Sequence, residues 1–226
     1  TGPPPAGPAS ARDGTGRVDP ARIAAVLLDM DGTLVDSDAA VARSWTAWAR
    51  EYGVAPHALA AVAHGVPSDG TIRRLRPDLD GPALDAAAAR QLALQYDDLA
   101  DVTALPGARE LLAGLARRGL PWAVVTSADR RLARARLGAA GLSAPLLVAR
   151  DDVTAGKPDP EGYRVAAERL GVPAGACLVV EDSAAGLAAG RAAGACTAGL
   201  RGLEADLCPA DLHALHRWLD AAGPRA

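Results

Sequence analysis

Four short, unbroken apolar runs recur along the chain, and each ends in polar residues: IAAVLLD (residues 23–29), PWAVVTS (121–127), PLLVAR (145–150) and CLVVED (177–182). A strand with one face in solvent alternates apolar with polar residues. An unbroken run needs cover on both faces, which is the situation of a parallel sheet held between helical layers. ACTAGL (195–200) is a weaker fifth run. Helical patterns lie between the runs at 108–118, 129–140, 160–170 and 183–193. Each is followed by a glycine (Gly119, Gly141, Gly171, Gly194) of the kind that ends helices. Strand alternating with helix predicts an α/β fold with a doubly wound, Rossmann-like parallel sheet.

The alternation stops between Asp36 and Leu105. That stretch contains AVARSWTAWAREYG and LDAAAARQLALQYDDLA, with little β-branching, and reads as an α-helical cap domain inserted after the first strand. The expected organisation is a discontinuous α/β core over 21–36 and 105–226 with the cap at 37–104. Residues 1–20 are rich in Pro and Gly, carry Val18 as their one large aliphatic residue, and are expected to form a disordered tail. A chain of 226 residues suffices for one large domain with an insertion. Lacking Phe, it must build its core from Leu, Val and Ala.

Charge and cysteine usage exclude several classes. A net charge of −3 provides no global basic field for nucleic acid. No apolar run is long enough to span a bilayer, and the N-terminal residues show no secretory h-region. The three cysteines, Cys177, Cys196 and Cys208, lack CxxC spacing, which argues against a disulfide scaffold or thiolate zinc and suits a reducing cytoplasm. The expectation is a monomeric cytoplasmic protein acting on a small molecule, without nucleic-acid or membrane partners.

In open parallel sheets, ligands bind at the carboxyl ends of the strands. Here those ends carry Asp29-Met30-Asp31-Gly32-Thr33, Thr126-Ser127 and Glu181-Asp182, and the loop after the third run supplies Lys157. Lys157 is the only lysine among 24 basic residues, which suggests a place arginine cannot fill. Asp29 and Asp31 face one site if the chain turns at Gly32. Clustered carboxylates with only oxygen ligands favour a hard cation such as Mg²⁺. Thr126, Ser127, Lys157 and the turn amide at Gly32 offer donors and positive charge to an anion. Carboxylates, a divalent cation and lysine together describe a phosphoryl-transfer site.

DMDGTLVDS, VVTSA, GKPDP and VVEDSAAG, in this order, resemble the four signature motifs of the haloacid dehalogenase superfamily, and the likeness covers almost the whole chain after residue 20. The resemblance implies Asp29 as nucleophile forming an aspartyl-phosphate and Asp31 as general acid/base. It implies Thr126 and Lys157 as phosphate ligands, and Asp29, Asp182, Glu181 and the Asp31 carbonyl as the Mg²⁺ site. A metal-independent dehalogenase lacks the second aspartate, and the phosphonate-cleaving branch needs a cap lysine that this chain does not have. AVARSWTAWAREYGVAP and AHGVPSDGTIRRL resemble sugar phosphatases and glycerol-3-phosphatases of the superfamily. The implied function is a Mg²⁺-dependent phosphatase of a small sugar or polyol phosphate. The alternative is a phosphomutase of the β-phosphoglucomutase type, although Val41 stands where such mutases typically present a His. Cap candidates for substrate contact are His64, Ser68 and Arg43, whereas Trp45 and Trp48 are expected to pack in the cap core.

Overall fold

Every residue of β1 (Ala25–Leu28) is buried, as an unbroken apolar run requires. The computed structural model describes residues 10–60, 68–97 and 99–223. After β1 the chain turns into β2 (Val35–Asp36), which pairs antiparallel with β3 (Thr103–Ala104) in a short ribbon. The remaining strands are β4 (Trp122–Val125), β5 (Leu147–Val148), β6 (Cys177–Glu181) and β7 (Cys196–Gly199). With β1 they form one parallel sheet in the order β5-β4-β1-β6-β7, so all five apolar runs become strands. The chain winds outward from β1 through β4 and β5, then returns to β6 and β7 on the other side. The topological switch therefore falls at β1, and the crevice there opens at the strand carboxyl ends.

Between β2 and β3 lie α1 (Asp38–Glu51), α2 (Pro56–Ala60), α3 (Ser68–Leu75) and α4 (Gly81–Leu94). The core helices are α5 (Ala108–Arg117), α6 (Arg130–Ala139), α7 (Glu161–Arg169), α8 (Ala184–Ala192) and α9 (Leu212–Asp220). The first four match the sequence patterns to within two residues at either end. Asp129 caps α6 by accepting from the Leu132 amide at 2.8 Å, and Ser183 caps α8 by accepting from Gly186 at 3.1 Å. The fifth has a signal of its own: Asp211 caps it, and Leu212, Leu215 and Leu219 recur at helical spacing on its buried face.

Alternate residues of the strands feed opposite sides. Val26, Leu28, Val124 and Val180 pack with α5, α6 and α9, while Ala25, Leu27, Val125 and Val179 pack with α7 and α8. Each fully buried Leu or Val contributes about 1.5–3 kcal/mol, so the sheet is stabilised from both faces without Phe. Small residues let α8 approach closely; a Cβ on Gly190 would lie 2.9 Å from Val179 Cγ1. A third apolar cluster, containing Trp48, Ile72, Leu84 and Ala87, lies within the inserted helices.

The expected tail over residues 1–20 needs correction in its second half. Ala11 is fully buried and donates to the Gly175 carbonyl at 2.8 Å, Arg12 bridges to Val18, and Arg12 pairs with Asp206 at 2.8 Å. Asp19 then caps a 3₁₀ turn at Pro20–Arg22. The physical reason is that backbone hydrogen bonds and one small buried side chain hold this stretch, and neither registers as hydrophobicity in a sequence. Among the described residues, no helix is long and apolar enough to cross a membrane.

Candidate active site

The sheet delivers two site residues directly. The Asp29 amide continues the ladder to the Val180 carbonyl at 3.0 Å, and the Thr126 amide does the same to Val148 at 3.0 Å. Both side chains therefore stand at the carboxyl rim, nearly buried. Beyond Asp29 the chain turns tightly, with the Met30 carbonyl accepting from Leu34 and Val35 at 2.9 Å. Gly32 is required there twice over: its φ is +79°, and a Cβ would lie 2.0 Å from Asp182 Oδ2. Ser127, next to Thr126, is exposed at the rim, and the Thr126 hydroxyl accepts from the Ala128 amide at 3.1 Å.

The solitary lysine is held at the centre. Lys157 Nζ donates to Asp29 Oδ1 at 2.5 Å, to Glu181 Oε1 at 2.6 Å and to the Val125 carbonyl at 2.9 Å. An ammonium has three protons, and all three are used. Glu181 is fully buried and also accepts from the Tyr163 hydroxyl at 2.7 Å and the Ser183 hydroxyl at 2.9 Å. Space for it exists only because residue 186 is glycine, since a Cβ there would fall 1.7 Å from Glu181 Oε1.

These contacts set the charges. Burial works against the Lys157 cation, but the Asp29 and Glu181 carboxylates outweigh it and hold Lys157 protonated well above its ordinary range. Burial, followed by the charge of Glu181, pushes Asp29 well above the carboxylate range, with Lys157 opposing. Burial and Glu181 likewise raise Asp182 to about 6. Oxygens of Asp29, Glu181 and Asp182 lie within 4.8 Å of one another. Three carboxylates thus face Lys157 and the more distant Arg201, whose Nε is 3.4 Å from Asp182. The donor set is all oxygen and short of positive charge, which fits a hard divalent cation such as Mg²⁺. Glu181 is already engaged by Lys157, Tyr163 and Ser183, so Asp29 and Asp182 are the carboxylates open to it.

Asp31 stands apart from that group. Its Oδ1 accepts from the Ser37 hydroxyl at 2.6 Å and its Oδ2 from Arg136 Nη1 at 2.9 Å. Sequence reasoning missed Arg136, Tyr163 and Arg201. A signal for Arg136 existed, because it shares a helical stripe with Leu132, Ala133 and Leu137, and a charge on an apolar stripe implies a buried partner. Arg201 has φ +54°, a conformation its identity does not announce.

A family model described as haloacid dehalogenase-like hydrolase matches residues 23–194. The chain belongs to this family. Hexitol phosphatase A of Escherichia coli is 42% identical over 169 residues, covering 74% of this chain and 78% of the relative. 2-Deoxyglucose-6-phosphate phosphatase 1 of Saccharomyces cerevisiae is 34% identical over 192 residues, covering 77% and 78%. With such relatives, this haloacid dehalogenase-like hydrolase is a phosphatase. Among solved structures, a hydrolase from Pseudomonas syringae superposes with a TM-score of 0.76 at 27% identity, covering 87% of this chain and 98% of that one. β-Phosphoglucomutase from Clostridium difficile also gives 0.76, over 88% and 98%, but at 18% identity the likeness is one of fold alone.

The candidate groups lie at the bottom of a cleft under the inserted helices. The cavity measures about 980 Å³; Asp29, Asp31, Thr126, Ser127, Lys157 and Asp182 line its floor, with Val41, Trp45, Thr46 and Arg50 of α1 above them. Trp45 does pack edge-on against Trp48, with ring centroids 5.5 Å apart, yet it also lines this cavity. Arg43 is not among the lining residues, and its guanidinium makes a two-pronged pair with Asp101 at 2.6 and 2.7 Å. Ser68 begins α3, but its side chain lies outside what is described, as does His64 altogether.

Proposed function

We propose that the protein hydrolyses a phosphate monoester of a small sugar or polyol through an aspartyl-phosphate on Asp29, with Mg²⁺ as cofactor. The observation that carries this reading is the Lys157 ammonium, fully used on Asp29, Glu181 and Val125 O beside the Asp182 carboxylate. That arrangement sets a buried carboxylate against a lysine charge on the floor of the cleft. The relatives' names point the same way for the alcohol, including glycerol-1-phosphate phosphohydrolase 2 of Saccharomyces cerevisiae at 31% identity.

In this reading Asp29 attacks phosphorus, and the bond to the alcohol oxygen breaks as Asp31 gives that oxygen a proton. Asp31, now a carboxylate, takes a proton from water, which attacks the aspartyl-phosphate and returns Asp29 with release of inorganic phosphate. The Thr126 and Ser127 hydroxyls receive the phosphate oxygens beside the Lys157 charge, whose three protons stay on Asp29, Glu181 and the Val125 carbonyl. The Gly32 amide, expected from the sequence to join them, is instead committed to the Val35 carbonyl at 2.8 Å. Mg²⁺, held by Asp29, Asp182 and the Asp31 carbonyl, would supply positive charge against the phosphate dianion. Lys157 opposes, without cancelling, the burial and the Glu181 charge that push Asp29 upward. Three unpaired cysteines suit a reducing cytoplasm as its location. The mutase alternative is the weaker reading, because Val41 lines the cavity at the position where the mutases this chain resembles typically present a His.

The test is inorganic phosphate release from a panel of sugar, polyol and glycolytic phosphates, with and without Mg²⁺, using Asp29→Asn as blank. Mg²⁺-dependent release from one or a few substrates is expected. Release that persists in Asp29→Asn refutes the nucleophile, and release from none refutes the phosphatase reading.

A further inference from the structure

Arg136 is 3% exposed. A guanidinium is rarely buried to this extent unless its donors are committed. Its two arms serve different partners, while the buried Nε has none among the described residues: Nη1 donates to Asp31 Oδ2 and Nη2 to Gln95 Oε1, both at 2.9 Å. Gln95 is the cap residue at the end of α4, and its own amide donates to Gln91 at 2.7 Å. Next in sequence, Tyr96 donates to Asp129, the cap of α6, at 2.5 Å. The other Asp31 oxygen is held by Ser37, immediately before α1.

One hold on Asp31, Ser37, therefore comes from where the chain enters the inserted helices, and the other, Arg136 of α6, is itself held by a residue on the way back from them. Ser37 lies just beyond β2, and Gln95 lies on the return path to β3. Arg136 is a bridge and not simply an ion-pair partner, because a guanidinium shared between two acceptors cannot be re-aimed at one without disturbing the other. We infer that Arg136 is a positioning residue: it fixes the direction of the Asp31 carboxylate and ties that direction to the seating of the cap helices through Gln95. This rests on the proposed function for the proton that Asp31 moves, whereas the bridge itself is a matter of geometry. A substrate that reseats the inserted helices would thereby adjust the group that protonates its leaving oxygen.

The test compares Arg136→Met, Arg136→Lys and Gln95→Leu with wild type, on an alkyl phosphate that wild type accepts and on p-nitrophenyl phosphate, whose leaving group needs no proton. Loss of a general acid's alignment predicts a fall in kcat of about 10²-fold on the alkyl phosphate for Arg136→Met, with a far smaller fall on p-nitrophenyl phosphate. Arg136→Lys, which retains a charged donor, should recover part of the loss. Gln95→Leu, which removes no charge and carries the test if Arg136→Met does not fold, should shift in the same sense. Asp31→Asn with Arg136→Met should fall no further than Asp31→Asn alone. Equal losses on both substrates, or a double variant as poor as the product of the singles, overturn the positioning role. Should wild type release no phosphate from any substrate, the phosphatase reading fails on its own. Crystal structures of wild type and Arg136→Met then decide the bridge: an unmoved Asp31 carboxylate overturns it and a redirected one sustains it.

Discussion

Replacing Lys157 with Met would remove one charge and three hydrogen bonds from the floor of the site at nearly constant volume. The groups left behind are Glu181, fully buried, and Asp29, whose side chain is 11% exposed, so water rescues neither. Breaking a buried ion pair from one side costs about 3–5 kcal/mol, mostly because the partner charge is stranded. Two carboxylates are stranded here, although Tyr163 and Ser183 continue to hold Glu181. Taking about 4 kcal/mol for a chain of this size, Tm should fall by roughly 8–16 °C. The pH dependence has a definite sign. Asp29 is already raised by burial and by Glu181, and without Lys157 it rises further. The folded variant then keeps this proton to higher pH than wild type does, so its deficit against wild type shrinks as pH is lowered through the range where the variant alone holds it. Lys157→Arg keeps the charge but spreads its donors in a plane that does not match three convergent acceptors, and should lie between the two. The assay is thermal unfolding in EDTA at several pH values. A Met variant within about 1 kcal/mol of wild type at pH 7, or a deficit that grows towards pH 5, would refute the reasoning.

Asp29→Asn should abolish phosphate release while circular dichroism and Tm stay near wild type. Asp31→Asn should lower turnover of alkyl phosphates by about 10²-fold or more while sparing p-nitrophenyl phosphate; equal losses in the two assays would remove Asp31 from proton transfer. Gly186→Ala drives a methyl into Glu181 and should lower Tm and turnover together, with a cost of at least about 1–3 kcal/mol by urea unfolding. In EDTA, Asp182, raised to about 6 by burial and Glu181, keeps its proton above the pH at which the unfolded chain loses it. Its contribution to stability is therefore lost as pH rises from about 4 to about 6, by roughly 2–3 kcal/mol. Asp182→Asn should flatten that slope relative to wild type, and an unchanged slope would contradict the assignment.

The strands were legible because a sheet covered on both faces leaves continuous apolar runs, and the helices α5 to α8 because each stops at a glycine. Asp29, Thr126, Lys157 and Asp182 were legible because a parallel sheet sends its strand ends to one rim, so separate segments of sequence agree on one place. Glu181 was read as a metal ligand, but its surroundings, Tyr163 and the missing side chain of Gly186, become neighbours only through helix packing. Arg136 shows the same limit: RRLARARLG contains several arginines, and only contact with Asp31 and Gln95 from distant segments distinguishes the buried one. Arg43 looked like a cap residue awaiting a substrate, and Asp101, 58 positions away, already engages it.

The inserted helices bury Trp48, Ile72, Leu84 and Ala87 against one another, away from the two clusters that clothe the sheet. Their folding energy is thus drawn from within, and β2 and β3 are short enough to act as little more than a stem. A unit with its own core and a narrow stem can change its lining residues without disturbing the strand register that sets Asp29 opposite Lys157. Selection acting on α1, at Val41, Thr46 or Arg50, can therefore trade one alcohol for another at small risk to the phosphate chemistry below. A swap of the whole 37–104 segment between related chains would be the experiment that nature has the easiest access to.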